Sequence, residues 1–142
     1  MRVKIFIDTN LLVYTQRADN PVKQQIARSL LDNYNCVAST QVLNEFCNIF
    51  TRKYPVPVTD IETIINTIVE VCEISFVSAD TIRQALALHK KYQYPYYDCL
   101  IIASALESGC EYLFTEDLQD GQVINNKLKI VNVFKHSEEF IG

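Results

Sequence analysis

Apolar residues recur along this chain with two different periods, and the alternation between them marks out the elements. Val3, Ile5, Phe6 and Ile7 form a nearly continuous apolar run that stops at Asp8. A run of that kind predicts a strand over 3–7 covered on both faces, as in the middle of a parallel sheet. The stretch DTNLLVYTQ predicts a short helix. Asn20-Pro21 opens a longer one to about Tyr34, with Ile26, Leu30 and Leu31 at helical spacing. A strand follows over 36–39. Thr40 then caps a helix carrying Val42, Leu43, Phe46, Ile49 and Phe50, which Pro55 and Pro57 bring to an end.

The same alternation continues to the C-terminus. Thr59 or Asp60 starts a helix with Ile61, Ile64, Ile65, Ile68 and Val69, and a brief strand is expected over 74–77. Ser78 or Asp80 begins the next helix, with Ile82, Leu86 and Leu88 inward and His89-Lys90-Lys91 at its end, where positive charge suits the helix dipole. A deeply buried helix is predicted over 97–108 from Leu100-Ile101-Ile102-Ala103, closed by Gly109. Strands over 112–115 and 129–134 flank a turn at Asp120-Gly121. Strands separated by helices predict an α/β fold, a three-layer sandwich with a mostly parallel central sheet of about five strands. With no repeat, linker or shift in composition, residues 1–142 are read as a single domain.

Composition narrows the partners. A net charge of −4 and a pI near 5.1 do not suit a protein that holds nucleic acid through a general basic field, although cations held by the acidic residues would offset that charge. Cys36, Cys47, Cys72, Cys99 and Cys110 are odd in number and lack CxxC spacing, so they read as free thiols of a reducing cytoplasm rather than a zinc site. No apolar run reaches the roughly 18 residues of a membrane span, so a soluble cytoplasmic protein is expected.

Four carboxylates change the picture. Asp8 follows the first strand, Glu45 lies in the second turn of the helix after strand two, Asp98 opens a helix, and Asp117 follows the fourth strand. In a parallel sheet these positions meet at the carboxyl ends of the strands, where ligands bind. Two bare carboxylates about 4 Å apart repel by roughly 4 kcal/mol at an effective dielectric near 20, so a cluster of four must take up protons or a cation. Oxygen-only ligands favour Mg2+ or Mn2+, and the matching chemistry is phosphodiester hydrolysis by a metal-activated water. Each acid also has a plainer reading: Asp98 as a first-turn helix carboxylate, Asp117 as part of a solvated turn.

IDTN at 7–10, VLNEF at 42–46, YYDCLIIASAL at 96–106 and LFTEDLQDG at 113–121 together resemble the PIN-domain ribonuclease family, most closely its VapC-type toxins, in order and spacing over nearly the whole chain. The resemblance implies a Mg2+- or Mn2+-dependent endoribonuclease with Asp8, Glu45 and Asp98 as core acidic ligands and Asp117 as the fourth. It gives Thr115 and Asn10 supporting or water-positioning roles. Asp120 could share or replace the role of Asp117. It further implies a small antitoxin partner and a homodimer, for which the apolar helix over 59–73 offers a face. For the RNA, with transfer or ribosomal RNA as the expected class, HKKYQYPYYD supplies Lys90, Lys91, Tyr94 and Tyr97, and Arg52 and Lys53 end the helix bearing Glu45. The alternatives are a PIN nuclease outside toxin biology, acting in RNA processing or on structured DNA, and a non-catalytic RNA-binding module.

Overall fold

In a computed structural model that describes residues 2–142, β1 (Lys4–Ile7) lies at the middle of a six-stranded sheet. Its Ile5, Phe6 and Ile7 are buried, as expected of a strand covered on both faces. In chain order β1 is followed by α1 (Thr9–Tyr14), α2 (Pro21–Asn33), β2 (Asn35–Ser39), α3 (Thr40–Arg52), α4 (Val58–Val71), β3 (Glu73–Ser75), α5 (Ala79–Tyr92) and α6 (Tyr96–Glu107). Then come β4 (Tyr112–Phe114), β5 (Val123–Ile124), β6 (Leu128–Val131), a 3-10 turn (Val133–Lys135) and α7 (Ser137–Phe140).

The strand order is β3-β2-β1-β4-β6-β5, parallel throughout except for the β5–β6 pair. The chain therefore winds outward from β1 through β2 to β3, then returns to the other side of β1 with β4. That reversal makes the space beyond the carboxyl ends of β1 and β4 the topological switch point, the natural place for a ligand in an open α/β sheet. α1 packs on α2 and α3, and α3 on α4, whereas α5 packs on α6. Right-handed crossovers put these two groups on opposite faces of the sheet.

Several elements differ from the sequence expectation for identifiable reasons. The sixth strand, β5, has two residues, too few to show a period, and joins β6 through Asn125 and Asn126 at φ 50° and 58°, the paired positive φ of a tight hairpin turn. Ser39 rather than Thr40 caps α3: its side chain accepts from Val42 N at 3.2 Å, while the Thr40 hydroxyl accepts from Val77 N at 3.3 Å. That placement leaves β3 ending at Ser75. The last strand stops at Val131 because the Asn132 side chain turns back to cap the 3-10 turn, accepting from Phe134 N at 3.1 Å.

The inward face of α5 also differs. Thr81, Ala85 and Leu88 are buried, whereas Ile82 and Leu86 are 41% and 52% exposed, as is Val69 of α4 at 50%. A threonine can occupy the core side because its hydroxyl is satisfied there: it donates to Glu107 Oε2 at 2.8 Å and closes a capping box with Ser78.

α5 ends on an exposed Gln93 at φ 63°, a left-handed position that costs a side-chain-bearing residue about 1–2 kcal/mol relative to glycine. Gln93→Gly is expected to raise stability by roughly 0.5–1 kcal/mol. Urea denaturation reads this as a higher midpoint at unchanged slope, and an unchanged or lower midpoint would refute it.

Candidate active site

Asp8 leaves β1 and caps α1: its Oδ1 accepts from the backbone N of Thr9 at 2.7 Å. Its other oxygen accepts from the Thr115 hydroxyl at 2.7 Å. Thr115 follows β4, is buried, and also accepts from Asp117 N at 3.2 Å. One hydroxyl thus ties the acid after β1 to the loop after β4, across the switch point. Asn10, in the first turn of α1, donates to Asp117 Oδ2 at 3.0 Å.

Glu45 enters from α3. Its Oε2 accepts from the buried Thr9 hydroxyl at 3.0 Å, and its Oε1 accepts from Gln41 Nε2 at 2.8 Å, one helical turn earlier. α3 faces this way because Val42, Phe46 and Phe50 anchor its adjoining face in the core. Asp98 lies in the first turn of α6, which starts at the carboxyl ends of the strands. All four acids line one cleft of about 120 Å3, together with Thr9, Asn10, Gln41, Ile49, Tyr97 and Ile101.

The electrostatics follow from this crowding. Burial pushes the Asp8 carboxyl up from 3.8 to about 6, and the charges of Asp117 and Glu45 add to it, although the hydrogen bonds from Thr115 and Thr9 pull the other way. Burial also raises Asp98, with Asp117 and Glu45 contributing in the same sense. No Lys, Arg or His lines the cleft.

This donor set fits a hard divalent cation: carboxylate oxygens only, mutually repelling, with no side-chain cation to balance them. Among the described residues, however, no three His, Cys, Asp or Glu side chains form a ready cage for an ion. The hydrogen bonds to Thr9, Gln41, Asn10 and Thr115 each hold a carboxylate to a protein partner. Mg2+ needs no all-protein cage, because it keeps several waters and is commonly held by one or two carboxylates.

Asp120 is not part of this group. It accepts from Asn132 N at 2.8 Å and pairs with His136 Nε2 at 2.7 Å, contacts that hold its carboxyl below the usual range, and it lines a different pocket. Its oxygens face the C-terminal segment, whereas Asp117 lines the cleft with the other three acids. Glu116 also turns away, accepting from Tyr14 Oη at 2.5 Å and Lys23 Nζ at 2.9 Å.

Of the residues expected to meet RNA, only Tyr97 lines the cleft. Arg52, Lys53, Lys90 and Lys91 are exposed at the ends of α3 and α5, with Lys91 Nζ on Asn125 Oδ1 at 3.2 Å. The Tyr94 hydroxyl donates to Gln122 and accepts from Gln119 N at 3.2 Å, so it fastens the loop after β4. Thr9 and Gln41 were missed by sequence reasoning; the i, i+4 spacing from Gln41 to Glu45 was the available signal.

Cys36, Cys72, Cys99 and Cys110 are buried and Cys47 half-buried, all free. Burial pushes Cys72 up to about 11 and Cys110 to about 12, so neither is a thiolate nucleophile at neutral pH. Among the described residues, no helix is long and apolar enough to cross a membrane.

A family model described as PIN domain matches residues 5–119. Comparison with curated protein sequences finds no match. Among solved structures the fold is similar to VapC20 of Mycobacterium tuberculosis, described as a sarcin-ricin loop cleaving toxin, at 21% identity and a TM-score of 0.63, covering 80% of this chain and 91% of that one. It is also similar to a chain of a toxin-antitoxin complex from Klebsiella pneumoniae, at 20% identity and a TM-score of 0.65, covering 90% and 96%. A third is VapBC2 from Rickettsia felis bound to a DNA fragment from their promoter, at 18% identity and a TM-score of 0.65, covering 90% and 98%.

Proposed function

The chain belongs to the PIN-domain family, and from that premise we propose that it is a Mg2+- or Mn2+-dependent endoribonuclease, the toxin of a toxin-antitoxin pair. The observation that carries the reading is the cleft itself, four carboxylates from the end of β1, α3, α6 and the loop after β4 with no basic side chain among its lining. Asp8, Glu45, Asp98 and Asp117 would hold the ion or ions. A divalent ion there supplies Lewis-acid polarisation of the phosphate and a water of lowered pKa. The protein's own part is orientation. Thr115 and the Thr9 backbone fix Asp8, Thr9 and Gln41 fix the two oxygens of Glu45, and Asn10 fixes Asp117.

The substrate is read as a structured RNA, transfer or ribosomal, in keeping with the description of VapC20 as a sarcin-ricin loop cleaving toxin. The partner is read as a small antitoxin, since two similar structures are of toxin-antitoxin systems. A homodimer and a cytoplasmic location complete the proposal.

Cleavage of a structured RNA by the purified protein is expected with Mg2+ or Mn2+, to vanish with a chelator, and to return when either ion is restored. Cleavage that persists in chelator overturns the metal dependence. RNA binding without turnover under all these conditions would favour a non-catalytic module. Growth arrest on induction, relieved by a co-expressed antitoxin, tests the toxin assignment.

A further inference from the structure

Large apolar and aromatic side chains exposed to water are scattered over this molecule, and among the described residues Tyr97 is the one that borders the acidic cleft. It is 69% exposed, adjacent in sequence to Asp98, and set edge-on to Tyr96 with ring centroids 5.5 Å apart at 67°. Neighbouring tyrosines are committed elsewhere: Tyr92 Oη donates to Asn125 Oδ1 and accepts from Asn125 N, and Tyr94 Oη holds the Gln119–Gln122 loop. The position of Tyr97 is fixed even though its ring is in water. The Tyr97 carbonyl accepts from Gln41 Nε2 at 3.3 Å, the same nitrogen that donates to Glu45 Oε1. A single amide therefore ties the backbone beneath the ring to one of the acids.

We propose that Tyr97 is a stacking platform for an unpaired base next to the scissile phosphate. This rests on the nuclease reading above. A base inside a duplex has both faces covered by its neighbours, whereas a splayed base offers a face to an aromatic ring. Because Tyr97 directly precedes Asp98 in the chain, the stacked base belongs to a nucleotide flanking the bond that is cut. Stacking reads the base by its π-face, so Tyr97 selects for strandedness, and base identity is left to other contacts.

The chain contains no tryptophan, so Tyr97→Trp introduces a single indole that can be excited apart from the tyrosines. Titrating that variant in a Ca2+ buffer with a short single-stranded RNA, a hairpin of the same sequence and a blunt duplex is expected to quench fluorescence with the first two and leave it unchanged with the duplex. Tyr97→Ala is expected to weaken binding of the hairpin, and to raise KM, roughly 5- to 100-fold, with kcat within about 3-fold. Tyr97→Phe should restore binding, because the ring and not the hydroxyl carries the contact. An exposed side chain can be changed without unfolding the protein, which thermal melts of each variant check.

Unaltered hairpin binding by Tyr97→Ala, equal quenching by duplex, or no quenching at saturation each overturns the proposal. Quenching by single strands in a protein that cleaves no RNA supports the stacking platform and overturns the nuclease reading. Cleavage without quenching does the reverse.

Discussion

Asp8→Asn is expected to abolish cleavage, by at least about 100-fold, and at the same time to make the metal-free protein more stable at neutral pH. The two effects share one cause. Folding carries the Asp8 carboxylate from water into a partly buried position facing Asp117 and Glu45, and its pKa rises from 3.8 to about 6. The folded state therefore binds this proton more tightly than the unfolded chain, so stability falls as pH rises from about 3.8 to about 6 and the penalty is complete above that range. At 1.36 kcal/mol per pH unit the penalty is at most about 3 kcal/mol, and residual solvent contact brings it nearer 1–2 kcal/mol.

Asparagine removes the charge and keeps the cap, since its oxygen can still accept from Thr9 N and its amide can donate to the Thr115 hydroxyl. Thermal melts in chelator at pH 7.5 should place Asp8→Asn above the wild type, with the gain gone near pH 4. Added Mn2+ should raise the wild type and leave the variant unmoved. A variant that is no more stable at pH 7.5, or equally more stable at both pH values, refutes the electrostatic account. Retained cleavage refutes the assignment of Asp8.

How much of this was legible in the sequence depended on whether the signal was local. β1 announces itself through Ile5, Phe6 and Ile7, and the parallel order of β1, β2 and β4 brings Asp8, Glu45, Asp98 and Asp117 to one cleft as their places at strand and helix ends anticipated. Thr9 was not legible, because its hydroxyl partner, Glu45, lies 36 residues away. The inward face of α5 was misread because Thr81 looks polar until Ser78 and Glu107 satisfy it. Sequence could not separate Asp117 from Asp120 either. Their different surroundings come from Asn10 on one side and from Asn132 N and His136 on the other, partners distant in sequence.

Phe46→Ala should show the opposite pairing of effects, a large loss of stability with all four acids in place. Phe46 is fully buried, next in sequence to Glu45, and its ring lies 4.7 Å from that of Phe50, itself 5.7 Å from Tyr54. Truncating such a side chain removes the transfer free energy of the ring and leaves a cavity that rigid neighbours fill only in part, a cost of about 3–5 kcal/mol. For a chain of this size that corresponds to a fall in Tm of roughly 10 °C or more. The damage should reach the site through α3, because Val42, Phe46 and Phe50 set the rotation of the helix that aims Gln41 and Glu45 at the cleft. Cleavage well below the new Tm should therefore be reduced but measurable, unlike that of Asp8→Asn, and should collapse at temperatures where the wild type still works. A drop in Tm of less than about 3 °C would mean that α3 is not anchored by this ring, and that the orientation of Glu45 has another origin.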